Sequence, residues 1–129
     1  MDTSFRELPG LKVEVEKVVF VPQLDAPPEK PFPFAYFIHI INGSTKTVTI
    51  LARKWILKDG AGEVVVVEGS GVVGETPKLQ PGEKFSYNSY HVVASDSEVS
   101  GAFFGVDSAG LGIRVRIPAF TLRRPSGGK

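Results

Sequence analysis

Three glycines at G-x-G-x-x-G spacing form the part of this sequence that most resembles a chemical motif. Gly69, Gly71 and Gly74 follow a run of four valines at 64–67. In dinucleotide-binding folds these glycines lie between a strand and a helix, and the helix N-terminus binds pyrophosphate. Here Pro77 and a nearby Pro-Gly pair exclude that helix. The Gly-Lys-Ser/Thr ending of a P-loop is also missing, so neither nucleotide fold is predicted.

Two interpretations of the glycines remain. The structural one is that they allow positive φ or close packing where the chain passes from one sheet to another. The alternative is that their backbone N–H groups form an anion-binding nest for phosphate, pyrophosphate or a nucleotide. Lys78 or Arg53 would then add positive charge to the tentative site formed by Gly69, Gly71 and Gly74. We favour the structural interpretation because the motif lacks its helix.

No other residue set in the sequence predicts catalysis. The two histidines, His39 and His91, lack the spacing of a transition-metal site, and the sequence leaves open a histidine–carboxylate pair assembled by the fold. The chain has no cysteine, so a thiolate nucleophile and a cysteine metal site are excluded. We therefore predict a protein that is not an enzyme and has neither a metal site nor a cofactor.

Composition predicts one soluble, cytoplasmic domain. The chain has 129 residues, 42% of them hydrophobic, and a net charge of +1. This near-neutral balance gives no general attraction to nucleic acid or to an anionic membrane. We predict a single domain over 1–129, with a core at about 11–122 and a mobile polar tail at 123–129.

The elements that would position these residues are strands. In residues 85–91 the odd-numbered positions (Phe, Tyr, Ser, His) alternate with the even-numbered ones (Ser, Asn, Tyr), as on the two faces of a strand. Ile113, Val115 and Ile117 alternate with arginines in the same way. Residues 34–41 are apolar at both parities, which predicts a central strand covered on both faces. The pattern favours an all-β, immunoglobulin-like or fibronectin type III-like sandwich of about seven to eight antiparallel strands, with Trp55 on the third.

The sequence resembles the ApaG family, also called the DUF525 domain, over roughly 13–122. The segments that carry the resemblance are Phe34-Ala35-Tyr36, Asn42, Arg53-Lys54-Trp55-Ile56-Leu57, Asp59-Gly60, Gly69-Ser70-Gly71-Val72-Val73-Gly74-Glu75-Thr76-Pro77, Leu79-Gln80-Pro81-Gly82-Glu83, Phe85-Ser86-Tyr87, Ser100-Gly101 and Ile117-Pro118-Ala119-Phe120. The resemblance implies a fibronectin type III-like sandwich without an established enzymatic activity. One departure is the segment 87–91, where family members commonly have Tyr-Thr-Ser-Gly.

The resemblance also implies functions. Eukaryotic relatives are similar to protein-binding modules, and bacterial members are linked to divalent-cation homeostasis (cobalt and magnesium). We therefore predict a non-catalytic module that binds a protein partner, as a monomer or a homodimer. The alternative implied by the resemblance is a small phosphate, pyrophosphate or nucleotide ligand at Gly69, Gly71 and Gly74.

Overall fold

A computed structural model describes residues 5–125, and all regular structure in this range is β-strand. The strands are β1 (Phe5–Glu7), β2 (Leu11–Phe20), β3 (Phe32–Asn42), β4 (Val48–Asp59), β5 (Val64–Ser70), β6 (Lys78–Leu79), β7 (Lys84–Val93), β8 (Ser97–Asp107) and β9 (Gly112–Leu122). The predicted all-β class is confirmed. The described range contains nine strands rather than seven to eight, because it includes the very short β1 and β6.

The strands form two sheets. One has the order β1-β9-β8-β4-β5, with β6 also paired to β4, and the other has the order β2-β3-β7. Every pairing is antiparallel except that of β1 with β9. The two sheets pack face to face as an immunoglobulin-like sandwich.

Alternate side chains from both sheets fill the core between them. Trp55 lies on β4, which is the third of the predicted strands because β1 was not predicted. It is 1% exposed and packs against Tyr36 and Phe103. The other fully buried large hydrophobic side chains are Ile38, Ile40, Ile50, Ile113, Leu122, Val48, Val72 and Val99. Burial of apolar area at about 25 cal/mol per Å² makes this layer the main source of stability.

The three-stranded sheet differs from the prediction made for residues 34–41. The strand β3 is central in its sheet, as predicted, but its side chains alternate between buried and partly exposed positions. Its outer face is not covered by another layer of residues 5–125. Burial of both faces was therefore the wrong expectation for an antiparallel sheet, which can leave one face in water.

The C-terminal end of the described chain is attached to the sandwich. The backbone N–H of Arg124 donates to Asp96 Oδ1 at 2.7 Å, and its guanidinium lies 5.8 Å from the ring centre of Phe32. Asp96 directly precedes β8, so its hydrogen bond with Arg124 joins the chain after β9 to the start of β8. The predicted mobile tail at 123–129 includes Arg124, whereas 126–129 fall outside the described residues.

Candidate functional site

The glycine motif forms a tight β-turn. The N–H of Val72 donates to the Glu75 carbonyl at 2.7 Å, and the N–H of Glu75 donates to the Val72 carbonyl at 3.0 Å. The two central residues, Val73 and Gly74, have positive φ values of 43° and 83°. This geometry matches a type I′ hairpin turn, which follows the twist of the paired strands. No helix begins at Glu75.

The turn keeps the chain in one sheet. Both β5, which precedes the turn, and β6, which follows it, pair with β4. The expectation that the chain changes sheets at the glycines was therefore wrong, although their predicted positive φ is correct for two of them. Gly71, with φ of 72°, donates its N–H to the Leu51 carbonyl at 2.6 Å and holds the start of the turn against β4.

Arg53 is held over Gly69 by the backbone of the motif. Its Nη1 donates to the carbonyls of Ser70 at 2.8 Å and Gly71 at 3.1 Å. A Cβ added at Gly69 would lie 2.7 Å from Arg53 Nη2, so the absence of a side chain makes room for the guanidinium. This arrangement explains Gly69 by close packing. It also directs the charge of Arg53 toward carbonyl oxygens.

The fold separates the residues of the predicted anion site. Arg53 is paired with the buried Phe103 and shares its inward direction, whereas Lys78 neighbours the buried Leu79 and points to the opposite face. Arg53 therefore meets Gly69 and Gly71, and Lys78 does not join them. The N–H groups of Gly71, Val72 and Glu75 already donate within the protein, and anion binding at the turn stays a prediction.

An aromatic cluster surrounds His91 between the two sheets. The imidazole lies 4.7 Å from the ring centre of Tyr36 and 4.8 Å from that of Trp55. It is 9% exposed, and its Nε2 has no hydrogen-bond partner. Burial lowers the pKa of His91 to about 4, because the charged imidazolium loses its hydration. His91 is therefore neutral near pH 7 and acts as a packing group.

Burial also acts on the tyrosines of this cluster. It raises the pKa of Tyr36, and a hydrogen bond to Ser89 and the charge of Arg53 oppose it. Burial raises the pKa of Tyr87 further, aided by Tyr36. Both phenols are therefore protonated at neutral pH and unsuited to act as general bases.

A serine, a histidine and a glutamate form a row on the outer face of the three-stranded sheet. Ser86 Oγ lies 2.6 Å from His39 Nδ1, and His39 Nε2 lies 2.9 Å from Glu16 Oε1. Glu16 occupies the β-bulge between Val15 and Lys17. This is the histidine–carboxylate pair that the sequence left open, and only strand pairing reveals it.

The row joins three strands and lacks the setting of a hydrolase triad. A nucleophilic serine of that type lies on a strained turn beside an oxyanion hole, and it bonds Nε2 of the histidine. Ser86 lies inside a regular strand and faces Nδ1 instead. We interpret the row as a polar cross-link between β2, β3 and β7.

The side of the sandwich along β5 is open. Each valine of the 64–67 run is between 38% and 51% exposed, which is high for four consecutive apolar residues of a strand. Beside them, a groove of about 310 Å³ separates β5 from β7. Leu57, Val65, Val67, His91 and Val93 line it, with Lys30, Asp59, Glu63 and Tyr90 also on its walls. The sequence predicted this strand but gave no reason to expect its exposure.

The direction of the β5 backbone follows from two hydrogen bonds at its ends. Asp59 donates to the Glu63 carbonyl and Gly71 to the Leu51 carbonyl, so odd-numbered β5 residues face β4. The N–H and C=O groups of Val64, Val66 and Glu68 consequently point away from β4, toward the free edge of the sheet. This edge offers backbone donors and acceptors together with apolar side chains.

Comparison with known proteins identifies the family. The family model of the ApaG domain (DUF525) matches residues 22–106. The chain belongs to the ApaG family. It is 40% identical to Protein ApaG of Acidithiobacillus ferrooxidans over 104 residues, or 80% of this chain and 82% of that protein. It is 37% identical to Protein ApaG of Aromatoleum aromaticum over 116 residues, or 88% and 91% of the two chains.

A solved crystal structure has the same fold. The crystal structure of an ApaA protein from Bordetella pertussis superposes with a TM-score of 0.80 at 32% identity, covering 93% of this chain and 98% of that one. The sandwich predicted by the family resemblance is thereby confirmed.

Within residues 5–125, no three His, Asp or Glu side chains are grouped so as to hold a metal ion. The same range contains no helix long and apolar enough to span a membrane.

Proposed function

We propose that this ApaG-family chain is a non-catalytic protein-binding module, and that its partner binds along β5 and the groove beside it. The exposed valine edge is the observation that supports the proposal. An uncovered strand edge of this kind binds partner proteins by adding a strand, with main-chain hydrogen bonds supplying affinity and alternate side chains supplying specificity. A cytoplasmic location is part of the same proposal.

The groove provides the specificity. Val65 and Val67 share the inner face with Leu57 and Trp55, because directly opposed residues on neighbouring strands point to the same side. Two partner residues opposite Val65 and Val67 would therefore place their side chains toward the groove. Its apolar floor favours aliphatic or aromatic side chains at these alternate positions.

Affinity capture with matched variants tests this function. Val66→Lys charges the edge, Tyr90→Ala removes a groove wall, and Leu111→Lys charges an equally exposed apolar residue away from β5. The expected result is a set of proteins retained by the natural chain and by Leu111→Lys, but lost with the first two variants. Circular dichroism checks that all are folded. Capture that is indifferent to both β5-side variants, or no specific capture at all, contradicts the proposal.

Binding of a small phosphate, pyrophosphate or nucleotide ligand at the glycine turn is the alternative function. It is tested separately, by titration with pyrophosphate.

A further inference from the structure

Two of the edge strands, β1 and β2, are protected against pairing with another chain. The edge strand β1 is only three residues long, and β2 carries the Glu16 bulge and several charged side chains. Short length, bulges and charges are the usual protections of an exposed edge. The strand β5 has none of these features over 64–67, where four uncharged valines follow one another.

We propose that β5 pairs with β5 of a second copy of this chain, antiparallel across a twofold axis at Val66. The inference uses the edge on which the proposed function rests, but it does not depend on the identity of any partner protein. In this register Val66 faces Val66, Val65 faces Val67, and Val64 faces Glu68 of the second copy. The two six-stranded sheets become one continuous sheet.

The hydrogen-bonding pattern of β5 fits this register. Val64, Val66 and Glu68 present their backbone groups to the free edge, so the pairs Val66–Val66 and Val64–Glu68 are hydrogen-bonded pairs. The pair Val65–Val67 is a non-hydrogen-bonded pair, whose side chains lie closest together. Every outward N–H and C=O of these three residues gains a partner.

The side-chain pattern is self-complementary in charge. On the outer face, Lys58 of β4 lies opposite Val64 of β5. Lys54 of β4 lies opposite Glu68 and forms an ion pair with it at 3.5 Å. Across the dimer, this row of side chains therefore consists of Lys58 and Val64 of one copy followed by Glu68 and Lys54 of the other. Opposite charges approach and no like charges face each other. Between Glu68 of one copy and Glu68 of the other, all the directly opposed β5 residues are valines.

A shifted register fits less well. Centring the axis on Val67 places Val65 opposite Gly69 and Val66 opposite Glu68. The shifted register keeps one valine–valine pair, at the axis itself, whereas the register centred on Val66 has three. The shift also moves Glu68 away from the row that contains Lys58. Cross-strand apolar pairs stabilise a sheet more than pairs with glycine or glutamate, so an axis at Val66 is favoured over one at Val67.

The dimer would compete with the proposed partner. A second copy and a partner strand use the same backbone groups of β5, so they exclude one another. A high concentration of the chain should consequently reduce partner binding without any change in the groove.

Engineered disulfides measure the register directly, because the chain contains no cysteine. A non-hydrogen-bonded antiparallel pair has a Cα separation of about 4.5 Å, within disulfide range. Val65→Cys mixed with Val67→Cys should cross-link under mild oxidation into a covalent dimer. Each variant alone should stay uncross-linked, because like positions lie on a diagonal of about 7–8 Å. Self-linking of Val67→Cys alone or Val65→Cys alone would overturn the Val66 axis.

Sedimentation velocity provides the second readout without cysteines. The natural chain and Leu111→Lys should show the same concentration-dependent dimer. Val66→Lys, which places two ammonium groups at the axis, should weaken it at least about tenfold. If the natural chain stays monomeric and the mixture of Val65→Cys and Val67→Cys forms no disulfide, the dimer is overturned. Such a monomer can still capture partners through β5, whereas an intact dimer without capture refutes only the proposed function.

Discussion

Protonation of His91 should make this protein lose stability between pH 7 and pH 5. Burial lowers the pKa of His91 to about 4 in the folded protein, whereas an unfolded histidine titrates near 6.5. Between these values the unfolded chain binds a proton that the folded chain excludes, so the free energy of unfolding decreases as the pH falls. At about 1.4 kcal/mol per pKa unit, the loss from pH 7 to pH 5 is roughly 2 kcal/mol.

Urea denaturation of the natural chain, His91→Leu and His39→Gln at pH 7 and pH 5 measures this effect. The free energy of unfolding of the natural chain should fall by roughly 2 kcal/mol more than that of His91→Leu. The comparison uses changes with pH, so the packing cost of leucine at pH 7 cancels. His39→Gln, which removes the partly exposed histidine of the outer sheet face, should keep the full dependence assigned to His91. Equal losses in the natural chain and His91→Leu would refute the assignment.

Three further predictions concern the turn and the core. Val73→Asn should raise the free energy of unfolding by about 1 kcal/mol, because asparagine adopts the positive φ next to Gly74 with less strain than the β-branched valine; thermal melting checks it, and a lower melting temperature would contradict it. Asn42→Ala should cost at least about 3 kcal/mol in urea denaturation, because the fully buried amide makes four hydrogen bonds; a loss below about 1 kcal/mol would disprove that role. Millimolar pyrophosphate should leave the NMR amide signals of Gly71 and Val72 unshifted, because both already donate within the protein, and specific shifts there would support the anion-binding alternative.

Local periodicity predicted most strands because it is a property of neighbouring residues. The alternation of residues 85–91 predicted the strand β7, in which Tyr87 and His91 share a parity, and both rings contact Tyr36. The strand β1 was not predicted, since three residues show no period. It exists through pairing with β9, where Phe5 meets Gly112 more than one hundred positions away.

The candidate sites depended on features that no local pattern contains. The direction of Arg53 follows a register shift between Ile50 and Ala52, which changes the parity of β4. His39 meets Glu16 and Ser86 because three strands lie side by side. The exposure of 64–67 is likewise set by sheet order, since the same four valines in a central strand would be covered.

Local patterns of residues were enough to predict a β-sandwich and a glycine turn that cannot begin a helix, because alternation and proline placement act within a few residues. The position of Arg53 over Gly69, the burial of His91 among aromatic rings and the place of β5 at the end of its sheet could not be predicted in this way. These outcomes depend on which distant strands pair and in what register. Pairing fixes the face of every side chain and decides which backbone groups stay free for another chain.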